Sequence, residues 1–314
     1  MTKRGKQSGS GKKPNPRNTP LRRTPRIGTI LINSLEQRWR KYLKELRRCK
    51  RVFSEEAVHD VRVATRRLIS TLMIIEIVYP DRNVRKIERR LKRLFDSMSP
   101  LRDTQVQLLT LQEKVIEYPE LETLQTVLKV RERNLMNSIS RRISKIDTLS
   151  MGRSLRGLKE GLRRHFSRPM MGEIGWNAVL GSALGRFNAA VWAKERILPS
   201  RPATIHRARI AFKKFRYTLE AIAPMLPAAD KRILKAMDEY QTRMGNIQDA
   251  RVLANLVIRF AQQRPPALRR RLAGFRRELV ARQKELISFY EQSADDLYNL
   301  RKPMLNSKQQ GRIQ

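Results

Sequence analysis

The 314-residue chain has a single cysteine, Cys49, which excludes an intramolecular disulfide and any zinc site built on cysteine. One thiol also fits a reducing compartment. Long apolar runs are missing too: nothing approaches the roughly 18 consecutive apolar residues a membrane span needs. The basic N-terminus is followed by no apolar stretch of the signal-peptide kind. These absences predict a soluble, cytoplasmic protein with no membrane partner. Aromatic residues make up only 6% of the chain, and Trp39, Phe215 and Phe275 sit at core-like spacing. No RNP aromatic set, helix-turn-helix or zinc finger is visible, which argues against base-specific reading of nucleic acid. Acidic residues are scarce as well, with 29 Asp and Glu against 68 Lys and Arg.

What is present is positive charge, a formal net +39 with a sequence pI near 11.4. Such a field strains a compact fold by self-repulsion unless a polyanion gathers on it, so nucleic acid, an anionic surface or a polyphosphate is the expected class of partner. The 40% apolar content is enough to bury a core over this length. Residues 1–27 mix Lys, Arg, Ser, Gly and Pro without one acidic residue, the composition of a disordered basic arm, and residues 301–314 read as a shorter basic tail. Between them the apolar periodicity is helical. Helices are expected over 29–49 and the segment around 57–79, with Ser54 as N-cap and Pro80 as stop, then over 82–98, 102–117 and 120–147. Ser167–Gly175 (SRPMMGEIG) marks a boundary, and a second series follows over 176–197, 203–224, 229–244, 248–262 and 267–299.

The two series are copies. Aligning His59 with His206 places Arg62 on Arg209, Ala64 on Ala211, Arg66 and Arg67 on Lys213 and Lys214, Leu72 on Leu219, and Pro80 on Pro227. One residue out of step, Arg102-Asp103 falls on Gln248-Asp249. The expected architecture is therefore all-α: two pseudo-symmetric, roughly four-helix bundles (28–166 and 176–299) forming one helical domain. Residues three, four and seven apart share a helix face, so His59, Arg62 and Arg66 line one side of one helix, and His206, Arg209, Lys213 and Arg216 line its duplicate. Like charges stacked this way destabilise an isolated helix by a few tenths of a kcal/mol per pair, so a duplicated stripe asks for an anion. The 82–98 segment adds Arg85, Arg89, Arg90 and Arg93 around an apolar side of Val84, Ile87, Leu91 and Leu94.

The histidines have two compatible readings: packing residues hydrogen-bonded to Asp103 or Asp249, or phosphate contacts. No Ser or Cys nucleophile stands near them to make a triad. His165, in the basic linker-like run RRHFSRP, reads as a phosphate contact or a neutral surface residue.

VHDVRVATRRL and IHRARIAFKKFRYTLE, each followed by an Asp-containing segment expected to be a turn (PLRDTQV and NIQDARV), resemble the two halves of the CHAD domain, the conserved histidine alpha-helical domain family. The resemblance spans about Leu35 to Tyr298. It implies two pseudo-symmetric helical bundles with a basic groove that binds long-chain inorganic polyphosphate, and association with polyphosphate granules. Carried over by position, it implies ligand contacts at His59, Arg62, Arg66, Arg67, His206, Arg209, Lys213, Lys214 and Arg216. Arg85, Arg89, Arg90, Arg93 and Arg102 join them as candidates from the basic surface of the first half. Two departures stand out: Ile69 occupies a position where the first half often has another Arg, and SPLRD replaces the usual Leu-Gly before Arg-Asp. A triphosphate-cleaving domain precedes this module in some relatives, but the chain has no Glu-x-Glu-x-Lys run. No catalysis, no metal and no cofactor are expected. Polyphosphate is the expected partner, and non-specific nucleic-acid binding is the alternative.

Overall fold

The computed structural model describes residues 27–226 and 229–304. Among them every regular element is helical: α1 (Ile27–Arg51), α2 (Glu55–Val78), α3 (Arg82–Lys114), α4 (Leu121–Ser144), α5 (Thr148–Phe166), α6 (Met171–Glu195), α7 (Pro202–Ile222), α8 (Lys231–Gln262), α9 (Pro266–Gln292) and α10 (Asp296–Asn299). Residues 1–26 of the expected arm, Pro227 of the aligned pair and residues 305–314 of the expected tail lie outside the described residues.

Short polar side chains start these helices by accepting bonds from backbone N–H groups the first turn leaves open. Ser54 accepts from Ala57 at 3.2 Å, as its N-cap assignment predicts, and Asp81, Asp147 and Asp230 do the same for α3, α5 and α8. Of the expected break over Ser167–Gly175 only 167–170 is non-helical: α5 ends at Phe166, Met170 takes a left-handed φ of 62°, and α6 already starts at Met171. At that junction α1 comes so close to Phe166 that a Cβ on Gly28 would lie 2.6 Å from its ring.

Four local expectations need correction. The helices expected over 82–98 and 102–117 are one, the 33-residue α3, which runs straight through Pro100. An interior proline costs roughly 3 kcal/mol. Met98, Leu101 and Thr104 are all buried beside it, so the packing they make holds the helix through the break. The pair expected over 229–244 and 248–262 likewise fuse into the 32-residue α8, so Asp103 and Asp249 sit on long helices and not in turns. The run containing His165 is no linker but the end of α5, whose Met151, Leu155, Leu158 and Leu162 are buried at helical spacing. Of the expected C-terminal tail, residues 301–304 pack on the fold, with Met304 buried in the large core.

Each copy is built from two antiparallel pairs. α1 packs on α2 and α3 on α4; α6 packs on α7 and α8 on α9, while α2 meets α7 across the centre. A large apolar core takes side chains from both copies, including Leu68 and Leu72 of α2 and Phe212, Phe215 and Leu219 of α7. A smaller cluster joins the far ends of the α3–α4 and α8–α9 pairs, with Leu111, Leu124, Val257 and Phe275 among its members. There Tyr118 lies 5.2 Å from the Phe275 ring, and Lys114 reaches Glu278 at 2.6 Å. The large core ends along α3 at Leu101 and along α8 at Ile247; the small cluster begins at Leu111 and Leu253. Between them α3 buries the polar side chains of Thr104, Gln105 and Gln107, and Asp103 of α3 and Asp249 of α8 act on the charges of Lys213 and Arg209 on α7.

Candidate anion-binding site

The stripe on α2 and its duplicate on α7 converge. Arg62 and Arg66 come from α2, Arg209 and Lys213 from α7, and all four are half-buried. The Arg62 guanidinium lies 4.5 Å over the Phe95 ring of α3, and that of Arg66 lies 4.9 Å over Tyr217 of α7. Arg66 also donates to the Tyr217 hydroxyl at 3.3 Å, a bond from one copy to the other. The Nε atoms of Arg62, Arg66 and Arg209 are shut away from solvent with no hydrogen-bond partner, and so is Nδ1 of His206. Buried donors of this kind normally find an acceptor, and leaving one unmade costs about 1–3 kcal/mol. Aromatic plates hold two of these guanidinium planes, while their Nε–H groups remain buried and unsatisfied.

The electrostatics record the crowding. Burial first, then Arg209, Arg62 and Arg66, pulls the Lys213 ammonium down from its ordinary 10.5 to about 8, with Asp103 opposing. Arg62 is lowered by burial and by Arg66. His206 is lowered by burial and by Arg209, while Gln248 holds it in a side-chain hydrogen bond. Two acids temper the field. Asp249 is pushed up by burial; Arg209 opposes this and Asp103 adds to it. The two aspartates stand at matching positions of α3 and α8, near Arg102 and Arg209. Neither histidine bonds to an aspartate among the described residues.

His59 is exposed and stands at the mouth of a pocket of ≈ 350 Å³, beside Arg62, Arg102 and Gln105. Arg67 and Lys214 are exposed, one position off the central stripe; Arg67 adds its charge to Arg38 of α1. Arg216 does not face the cluster. It is buried and ion-paired with Glu220 at 2.7 Å and Asp238 at 2.6 Å, and these carboxylates raise its pKa despite the burial. On the first half of α3, Arg85 pairs with Glu76 and Arg89 donates back to the Arg85 carbonyl. No described contact ties Arg85, Arg89, Arg90 or Arg93 to the Lys213 cluster. His165 packs edge-on between Tyr79 and Phe166.

The residues missed by sequence reasoning are Phe95 and Tyr217. Tyr217 was within reach, since it stands four residues after Lys213 and eight after Arg209 on the same face. Phe95 was not, because its contact with Arg62 depends on how α3 packs on α2.

This arrangement can hold an anion rich in terminal oxygens. Among the described residues no three His, Cys, Asp or Glu side chains gather as metal ligands would, and no helix is long and apolar enough to cross a membrane. The model of the CHAD domain family matches residues 33–257 of this sequence. The crystal structure of the CHAD domain from the plant Ricinus communis superposes with a TM-score of 0.59 at 18% identity, covering 90% of this chain and 93% of that one. PptA from Streptomyces chartreusis gives a TM-score of 0.59 at 15% identity, covering 88% of this chain and 100% of that one. At such identities the likeness speaks for the fold. No functionally curated protein matches the sequence.

Proposed function

The chain belongs to the CHAD domain family, and from that premise we propose that it binds long-chain inorganic polyphosphate, without cleaving it, between the α2 and α7 stripes. The observation that carries this is the set of buried, unpartnered Nε atoms on Arg62, Arg66 and Arg209 around Lys213. Polyphosphate offers about one charge per phosphate unit and no bases. A receptor for it needs many guanidinium and ammonium donors and gains nothing from base-edge readout. The aromatic rings present, Phe95 and Tyr217, lie under guanidinium planes, which leaves them occupied and not free to stack bases. Arg102, which lines the same pocket as Arg62 and His59, adds a cation outside the central stripes, and Glu55 and Glu56 on that pocket bound the path a chain ligand can take.

The net charge of +39 favours a second reading, non-specific attachment to DNA or RNA. Salt-titrated binding of polyphosphates of several lengths, in competition with duplex DNA and RNA at equal phosphate concentration, separates the two. Polyphosphate is expected to win; comparable displacement by nucleic acid would remove the selective reading. Incubation with Mg²⁺ or Mn²⁺ is expected to release no phosphate, and metal-dependent release abolished by mutating acidic residues would make the protein an enzyme. In cells, the tagged protein is expected at polyphosphate granules, and a diffuse signal in granule-containing cells would sever that association.

A further inference from the structure

α9 carries two different faces. One, with Leu272, Phe275 and Leu279, is buried in the small apolar cluster. The other repeats at positions 273, 276, 277, 280, 281 and 284, a single stripe by helical spacing. Together with Ile258 of α8 this second face forms a groove of ≈ 480 Å³. Its floor is apolar and shallow-chained, with Ala273, Val280 and Ala281, and Val280 is 46% exposed. Its bank is Arg276, Arg277 and Lys284, all exposed. None of the three forms an ion pair among the described residues, whereas Arg282, just off the stripe, is paired with Glu285 at 2.7 Å. Residues 266–292 also lie beyond the segment the family model matches, 33–257.

We propose that the α8–α9 groove docks an acidic amphipathic helix of a partner protein. The chemistry selects among polyanions. An inorganic phosphate chain has no use for an apolar floor, and a flat bilayer would span the concavity without filling it. A helix with apolar side chains on one face and carboxylates beside them fills the floor and neutralises the bank together. From Ala273 to Lys284 the groove runs about 16 Å along α9, room for roughly three turns of such a helix.

The test uses the full-length protein and a synthetic helix bearing Leu on one face and Glu on the flanks, at an ionic strength that screens diffuse attraction. Binding is read by anisotropy. Arg276→Glu, Arg277→Glu and Lys284→Glu combined should weaken it at least roughly tenfold. These positions are exposed, so circular dichroism should be unchanged, and polyphosphate affinity should move less than about twofold. Val280→Asp should weaken the peptide similarly. A control peptide with Ser replacing Leu but the same charge should bind at least roughly tenfold more weakly than the parent. Equal binding of the two peptides would reduce the groove to generic charge and overturn the proposal. So would vesicles of phosphatidylserine and phosphatidylcholine that bind through Arg276, Arg277 and Val280 while the peptide does not.

Discussion

α2 and α7 carry the same pattern into unequal settings. Arg62 and Arg209 are true counterparts, both half-buried with an unpartnered Nε. Away from them the copies part. The position of Ser70, whose hydroxyl bonds back to its own helix, is held in α7 by Tyr217, which supports Arg66 from the opposite copy. Ile69 packs against the core where Arg216 is ion-paired to Glu220 and Asp238. His59 is exposed at a pocket mouth, while His206 is half-buried against Gln248. Duplication thus supplies the shared pair of arginines, and divergence sets their surroundings apart: the first copy carries the Phe95 plate and the pocket lined by His59, the second the Tyr217 plate and the acid-paired Arg216.

The largest break in this comparison comes from its symmetric part. Arg62→Ala with Arg209→Ala removes two charge-assisted donors at about 1.5–3 kcal/mol each, so polyphosphate affinity should fall on the order of a hundredfold or more. The fold should survive, because neither Nε has a protein partner and the change relieves like-charge repulsion. Binding assays paired with circular dichroism check both halves, and loss of helix in the double variant would make these arginines structural.

The next effect is on pH. Lys213, drawn down to about 8 in the free protein, regains its proton when an anion screens Arg209, Arg62 and Arg66. The complex therefore binds more protons than the free protein above that value, and affinity should decline up to about tenfold per pH unit as pH rises past 8. Lys213→Arg should flatten the profile. Fold stability runs the other way: the unfolded chain, with its lysine near 10.5, holds more protons between about 8 and 10.5, so the ligand-free protein should gain stability across that window. Thermal unfolding at several pH values reads this directly.

Arg216 tests the asymmetric brace. Arg216→Ala leaves Glu220 and Asp238 without their cation, but Asp238 is well exposed and screened, so the cost should be about 1–2 kcal/mol. Denaturant unfolding should show it, while polyphosphate affinity changes less than about twofold. A large affinity loss at unchanged stability would return Arg216 to the binding surface.

The duplicated periodicity was enough to read the helices, the all-α fold and the pairing of α2 with α7, because one face of each helix repeats its apolar and basic residues in step. Long helices were harder. Pro100 is a local stop signal, and only the burial of Met98, Leu101 and Thr104 shows why α3 ignores it. α5 was hidden by its basic ending, although Met151, Leu155, Leu158 and Leu162 held the period. At the site, spacing alone put Arg216 on the ligand-facing stripe. Glu220, four residues further along α7, was a legible partner for Arg216, but the second carboxylate, Asp238 of α8, comes from the neighbouring helix, and periodicity on α7 carries no trace of that one.

The smallest predicted effect concerns His206. Burial, then Arg209, disfavours its imidazolium, so in the free protein it should titrate below an ordinary histidine. Around neutral pH it is an uncharged hydrogen-bonding group, and removing it should cost polyphosphate affinity only a few-fold. Bound anion supplies the missing counter-charge and should raise its titration midpoint, so affinity should strengthen as pH falls through that midpoint. NMR titration of the ring protons with and without polyphosphate measures the shift, and His206→Asn should erase the acid-side gain. A midpoint untouched by saturating ligand would mean the ring does not face the anion, leaving Arg209 and Lys213 as the contribution of α7.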